Sequence, residues 1–413
     1  MTKEEFYREA NATGTGPLEG IVVLEACTTY AGPVAGAELA DMGAEVIKCE
    51  LPETGDICRV FGPRVPNAPE SDRSAPFLSI NRNKKSVTLN FHHPRGQEMF
   101  RQLARRADIV LENFRPGAMG KWHIGYENIR QVKPDIVYVS LSCLGQWGPL
   151  SHKVGYDTDA QAMSGIMSIT GQADGPPTKV GNAIIDYLSG VKAAQAALAA
   201  LVRRQRTGEG QWIDIAMVDS ALSVTEGGIM QAAHCGEVWQ RRGSRHPASA
   251  PCNSFHCADG EVMLAVAHDK QWQKLCQLIG RVDLIEDART RSVAARKANE
   301  AFVEEVTANW IKDRSVREVV SVLNNEGISC SPILDFGEIV QEPHFRERES
   351  VCEVEHLTAG KLTHYGTAAK FSLTRTQIRT AAPLLGQHNA DVYGQWLGLE
   401  ARDLADLQRE GVI

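Results

Sequence analysis

Apolar and polar positions alternate along this chain in blocks. Residues 20–26, GIVVLEA, form a short apolar run, a stretch rich in small residues, PVAGAELADMG, follows, and a second apolar run, AEVIKCE, comes next. Runs of this length, separated by a helix-forming segment, predict strand, helix and strand. SVTLNF, a helical stretch over Pro94–Arg106, ADIVLENF, a helix near Tyr126–Val132 and DIVYVSLS repeat the alternation. Near-continuous apolar strands with helices between them predict a parallel sheet covered on both faces. Helix periodicity then runs through Tyr187–Gln205, where Ala193, Ala194, Ala196, Ala197, Ala199 and Ala200 favour close packing, and RTGEGQ turns the chain into the strand WIDIAM.

Beyond about Gly227 the texture changes. GEVWQRRGSRHPASAP precedes a hairpin pattern, NSFHCADGEVMLAVA, centred on the turn signal Asp259-Gly260. Helical patterns follow over Lys270–Gly280 and Arg291–Asn309, and GISCSPILDF returns to strand. The expectation is an α/β protein with a Rossmann-like parallel sheet in a large domain (1–225), a smaller α+β domain (226–330), and a segment (331–413) returning to the first domain.

Composition narrows the class. The 413 residues exceed what one core organises efficiently, and 43% hydrophobic with 23% charged residues are ordinary globular values. A net charge of −7, with Lys and Arg scattered, argues against nucleic acid. The opening MTKEEFYREA lacks the apolar core of a secretory signal, and no run suggests the ~20 apolar residues of a membrane span. A cytoplasmic location without a membrane partner is the expectation. The ten cysteines lack framework spacing and read as reduced thiols. Cys252, His256 and Cys257 have no second ligand pair at zinc-finger spacing, so no metal is expected.

Cofactor motifs are missing. After the first strand the chain reads CTTYAGP instead of G-x-G-x-x-G, so Glu50, at the end of the second strand, reads as a local pairing residue and not a ribose ligand. No Walker loop, HExxH or GxSxG occurs. Asp186, in IIDYLSG, reads by itself as a helix N-cap.

Taken in order, VLEACTTYAGPVAGAELADMGAEVIKCE, NRNKKSVTLNF, ADIVLENFRPGAMGKW, GYDTDAQAMSGIMSITG, GPPTKVGNAIIDYLSG, RRQRTGEGQWIDIAM and APLLGQHN resemble the class III CoA-transferase family across nearly the whole chain. That family includes formyl-CoA and carnitine CoA-transferases. The resemblance implies transfer of CoA from an acyl-CoA to a carboxylic acid, with no tightly bound cofactor, in an interlocked dimer. It places the nucleophile at Asp186, supported by Tyr156, Asp157 and Tyr30, the last where some relatives carry glutamine. CoA-binding positions match Ala31, Leu89, His92, Asn113, Phe114, Lys121, Lys153 and Met217, with Arg115 a further cation. Leu51 stands where formyl-CoA transferases have arginine, and the glycine run of their small domain is absent apart from Gly227-Gly228. Succinyl-CoA is the expected donor and a larger or aromatic-substituted acid, such as a benzylsuccinate-like one, the expected acceptor. Two other readings remain: an α-methylacyl-CoA racemase, which would need a histidine where Tyr156 stands, and one subunit of a hetero-oligomeric transferase.

Overall fold

The computed structural model describes residues 1–11, 14–66 and 68–413. Six strands, β1 (Val22–Ala26), β2 (Glu45–Glu50), β3 (Lys84–Thr88), β4 (Ile109–Glu112), β5 (Val137–Ser142) and β6 (Gln211–Ala216), form one sheet in the order β3-β2-β1-β4-β5-β6. Every pairing in it is parallel, from Val46 beside Lys84 to Ser142 beside Ala216. The continuous apolar runs are explained by burial on both faces: Val23, Leu24, Ile47, Val110 and Val137 are all fully covered.

One face packs against two helices, Ala31–Asp41 and Ile184–Thr207, whose small residues Ala31, Ala35, Ala193, Ala194 and Ala197 join the same core. Their approach is so close that a Cβ on Gly190 would stand 2.7 Å from the Ala31 carbonyl oxygen. Ile184–Thr207 is also long and apolar enough to cross a membrane by length and composition, a correction to the reading that no such run exists. Its buried side belongs to the core under the sheet.

The chain divides into two compact units, residues 1–167, 179–237 and 343–413 against residues 168–178 and 238–342. The boundaries thus fall at 237 and 342 in place of 225 and 330, and a short excursion at 168–178 had no signature in the hydropathy pattern. The first unit includes the tail. His388 Nδ1 accepts from Ser86 N at 3.1 Å, Asn389 Oδ1 from Thr88 N at 2.9 Å, and Val412 O from Asn90 N at 2.8 Å. The unit also holds an antiparallel hairpin, β10 (Val351–His356) with β11 (Gly360–Tyr365).

In the second unit β7 (Cys252–His256), β8 (Glu261–Ala265) and β9 (Ser329–Pro332) form an antiparallel sheet, with the turn at Asp259-Gly260 closed by Cys257 N donating to Gly260 O at 2.8 Å. Phe255, Leu264, Trp272, Val303 and Leu323 fill its core. Cys252 is buried while the exposed His256 ring pairs with Glu261, so these side chains do not converge on a common point. Among the described residues no group of three or more His, Cys, Asp and Glu is placed to hold a metal. All ten cysteines are free.

Candidate active site

Strands β1 and β4 lie side by side where the strand order reverses, and open α/β sheets bind ligands outside the carboxyl ends of strands at such a point. A cavity of about 260 Å³ occupies this position. Its walls are Thr28–Ala31 after β1, Asn113–Pro116 after β4, Cys143, Leu144, Ser151 and Lys153–Tyr156 after β5, and Met217 after β6, with Asp186 reaching in from its helix.

The β1 loop is held from below by buried charge. Lys48 Nζ donates to Glu25 (3.1 Å), to Asp56 (2.8 Å) and to the Cys27 carbonyl (2.9 Å), all shielded from water. Burial would lower the Lys48 pKa, but the Asp56 and Glu25 carboxylates outweigh it and raise it. Asp56 Oδ1 in turn accepts from Thr28 Oγ1 at 2.7 Å and Thr29 N at 2.9 Å, fixing Thr29 in the left-handed region at φ 69°. Such a conformation persists in a non-glycine residue only where its surroundings over-determine it. Tyr30 follows as the N-cap residue of Ala31–Asp41 without giving a side-chain cap, so among the described residues the N–H groups of Ala31 and Gly32 have no protein acceptor. Glu50 is a structural residue, as its sequence context suggested: Arg59 binds both its oxygens at 2.8 Å.

Asp186 lies in the first turn of Ile184–Thr207, and the helix begins before it, which corrects its reading as the N-cap. Ala183 holds the cap position and has no acceptor, so the cap comes from elsewhere in the chain. Asp157 Oδ1 accepts from Ile185 N at 2.7 Å and Asp186 N at 3.2 Å. Two of the helix's four orphan donors are thereby satisfied. Among the described residues no donor reaches the side-chain oxygens of Asp186, a half-buried group. Burial, with a smaller contribution from the Asp157 carboxylate, pushes its pKa up to about 7. Cys143 shares the cavity wall, where burial first and then Asp159, Asp186 and Asp157 push its thiol up to about 11. Burial likewise raises Tyr30, with Cys58 and Asp186 adding to it.

The structure gathers Tyr30, Ala31, Asn113, Phe114, Lys153, Tyr156, Asp186 and Met217 around one cavity. Asn113 is there as a clamp: its Oδ1 accepts from Thr28 N at 2.9 Å and its Nδ2 donates to Thr28 O at 2.7 Å, tying the β1 and β4 loops together. Asp157 stands behind the wall, buried. Leu89 departs from the expectation, since its side chain is fully buried with Leu24, Phe91 and Phe100 in the first unit and lines no part of the cavity. His92 and Lys121 lie outside the cavity, exposed, with the His92 ring 4.9 Å from Trp122. Phe114 touches the same tryptophan at 5.0 Å. Arg115 and Lys153 are exposed at the rim and form no ion pair among the described residues, leaving two cations for an anionic ligand. Sequence reasoning missed Asp56 and Cys143; Lys48, a charge inside an apolar strand, was the one signal that a buried carboxylate must be near.

The arrangement offers a free, desolvated carboxylate, unpartnered N–H groups at a helix start, and rim cations: parts suited to acyl transfer from an anionic thioester. Comparison with known proteins agrees. The sequence profile described as CoA-transferase family III matches residues 18–389. A succinyl-CoA–D-citramalate CoA-transferase of Chloroflexus aurantiacus is 35% identical over 96% of this chain and 98% of its own length. A succinyl-CoA:mesaconate CoA-transferase of Haloarcula marismortui is 37% identical over 91% and 96%. The crystal structure of a CAIB/BAIF family protein from Brucella suis superposes with a TM-score of 0.84 at 33% identity, covering 92% of this chain and all of that one. This chain is therefore an enzyme of CoA-transferase family III.

Proposed function

We propose that the enzyme moves CoA from succinyl-CoA to a second carboxylic acid through covalent intermediates on Asp186. The observation carrying this reading is the Asp186 carboxylate itself, without a protein donor, at the carboxyl edge of the sheet. Ionised Asp186 attacks the thioester carbonyl carbon; the C–S bond breaks, giving a mixed anhydride and CoA thiolate. The thiolate attacks the aspartyl carbonyl carbon of the anhydride and releases succinate, leaving an aspartyl-CoA thioester. The acceptor carboxylate displaces the thiolate to give a new anhydride, and the thiolate then takes the acceptor acyl group and frees Asp186. Each tetrahedral intermediate carries an oxyanion, for which the Ala31 and Gly32 N–H groups are suitable donors. Arg115 and Lys153 suit the phosphates of CoA.

The donor follows from the relatives named above, whose acceptors are citramalate and mesaconate. Branched or unsaturated dicarboxylic acids are therefore the first acceptors to screen, with benzylsuccinate-like acids next. The racemase reading is not favoured, since Tyr156 cannot replace a histidine of matched pKa in paired proton transfer. Incubation with succinyl-CoA and hydroxylamine should convert the Asp186 peptide to a hydroxamate and stop turnover. A protein that stays active and unmodified would sink the mechanism.

We also infer a dimer, interlocked as in the family it resembles. Val191 and Val202 on the helix Ile184–Thr207 and Leu222, Val224, Ile229 and Met230 after it stay 37–69% exposed. Exposed apolar side chains clustered along one stretch of chain suit a contact with a second copy. Sedimentation at micromolar protein reads it, and a monomer there would contradict it.

A further inference from the structure

Behind the cavity wall lies a side chain to which the readings above give no role. Gln161, on the helix Asp157–Met163, is fully buried. A primary amide out of contact with water must have its donors and acceptor paired, and here they are. Its Nε2 donates to Asp157 Oδ2 at 2.5 Å and to Asn182 O at 3.4 Å, and its Oε1 accepts from Val180 N at 2.9 Å. The orientation of the amide follows from these partners, because the flipped form would set its oxygen against the Asp157 carboxylate and its NH2 against the Val180 N–H.

Two consequences follow for Asp186. First, Asp157 uses one oxygen to cap the Asp186 helix and the other to receive Gln161, so the amide fixes the carboxylate plane in the capping orientation. Second, residues 180–182, which lead into that helix, are tied to the same amide. Asp186 N is itself one of the capped donors. The position of the nucleophile thus depends on a group that lines no part of the cavity.

We propose that Gln161 is a positioning residue for CoA transfer, holding the Asp157 cap and the segment 180–182 so that the Asp186 carboxylate stands in the cavity. This rests on the reading of Asp186 as nucleophile. The groups around Asp186 that could blur a pH profile are Asp157 and Asp159 on the neighbouring helix, Cys143 after β5 and Tyr30 after β1, with Arg115 and Lys153 as the cations of the rim.

The test compares Gln161→Met, which keeps the volume and loses every hydrogen bond, with Gln161→Glu, which keeps an acceptor for Val180 N and sets a second carboxylate against Asp157. Steady-state kinetics with succinyl-CoA are normalised to folded sites by coenzyme A binding. Misplacement of a reacting group by about 1 Å costs on the order of 100-fold in rate. Gln161→Met is therefore expected to lower kcat roughly 10- to 100-fold per folded site while KM for succinyl-CoA stays within about threefold. Gln161→Glu should, in addition, move the midpoint of the kcat–pH profile upward, as added negative charge near a carboxyl does. A kcat per folded site equal to wild type in both variants, with only thermal stability reduced, overturns the proposal and assigns Gln161 a structural role. Asp186→Ala keeps the two readings apart. If it retains activity the nucleophile assignment fails. If it is inactive while both Gln161 variants turn over normally, only the positioning role fails.

Discussion

Replacing Asp186 with asparagine should abolish transfer and at the same time stabilise the protein, by an amount that depends on pH. The carboxyl sits at about 7 in the folded chain against an ordinary value of 3.8, because burial and then Asp157 disfavour its charge. Three units at 1.36 kcal/mol each set an upper bound of about 4 kcal/mol on the cost of ionised Asp186 to the fold. The first turn of a helix favours a negative charge by up to about 1 kcal/mol, and the group is partly exposed, so about 2 kcal/mol is the working figure. The sign follows from proton uptake. Below 3.8 both folded and unfolded chains hold the proton and Asp186 contributes nothing. Between 3.8 and about 7 only the folded chain holds it, so stability falls as pH rises, and above about 7 the full cost is reached. Urea unfolding of wild type and Asp186→Asn at equal protein concentration, from pH 5 to 8.5, reads this directly. The variant should be more stable by about 2 kcal/mol at pH 8.5, with a smaller advantage at pH 5. An advantage of equal size at both pH values, or none at pH 8.5, would refute the claim that Asp186 is held in a desolvated, charge-disfavouring site.

Two further outcomes follow from the cavity walls. Transfer by the wild type should rise about tenfold from pH 6 to 8 as Asp186 ionises around 7, and a profile already flat above pH 5 would place the carboxyl in an ordinary environment. A Cβ on Gly155 would stand 2.4 Å from Cys143 Sγ, so Gly155→Ala should push the β5 wall into the cavity and cost roughly 10- to 100-fold in kcat, with partial recovery in the Gly155→Ala, Cys143→Ala double variant. Strict additivity of the two changes would show that they do not share that contact. Lys48→Met should destabilise by about 3–5 kcal/mol in urea titration, since it strands Asp56 and leaves Glu25 to Lys84 alone. Loss of less than 1 kcal/mol would mean that Lys48 does not compensate the buried Asp56 and Glu25 carboxylates.

The sheet was legible because buried parallel strands leave apolar runs that nothing else explains, and the alanine-rich helix because close packing needs small side chains. Asp186 was reached by resemblance alone, and its place in the helix was misread. A cap supplied by Asp157, 29 residues earlier, leaves no local spacing to detect, and an aspartate just ahead of a helical run mimics one. The unit boundaries at 237 and 342 and the excursion at 168–178 depend on tertiary contacts, not on hydropathy. Leu89 shows the limit of matching by position: its side chain is buried in the core and lines no part of the cavity. Lys48 shows the opposite case, in which one charge inside AEVIKCE already required a buried partner such as Asp56.

The edge of the sheet at β3 is closed by side chains of the tail: His388 and Asn389 take the N–H groups of Ser86 and Thr88 across 302 and 301 residues of sequence. During synthesis at ~5–20 residues per second, that strand leaves the ribosome roughly 15–60 s before its partners exist. For that interval the nascent sheet carries an open, pairing-competent edge. Slower synthesis between Thr88 and His388 would lengthen that exposure.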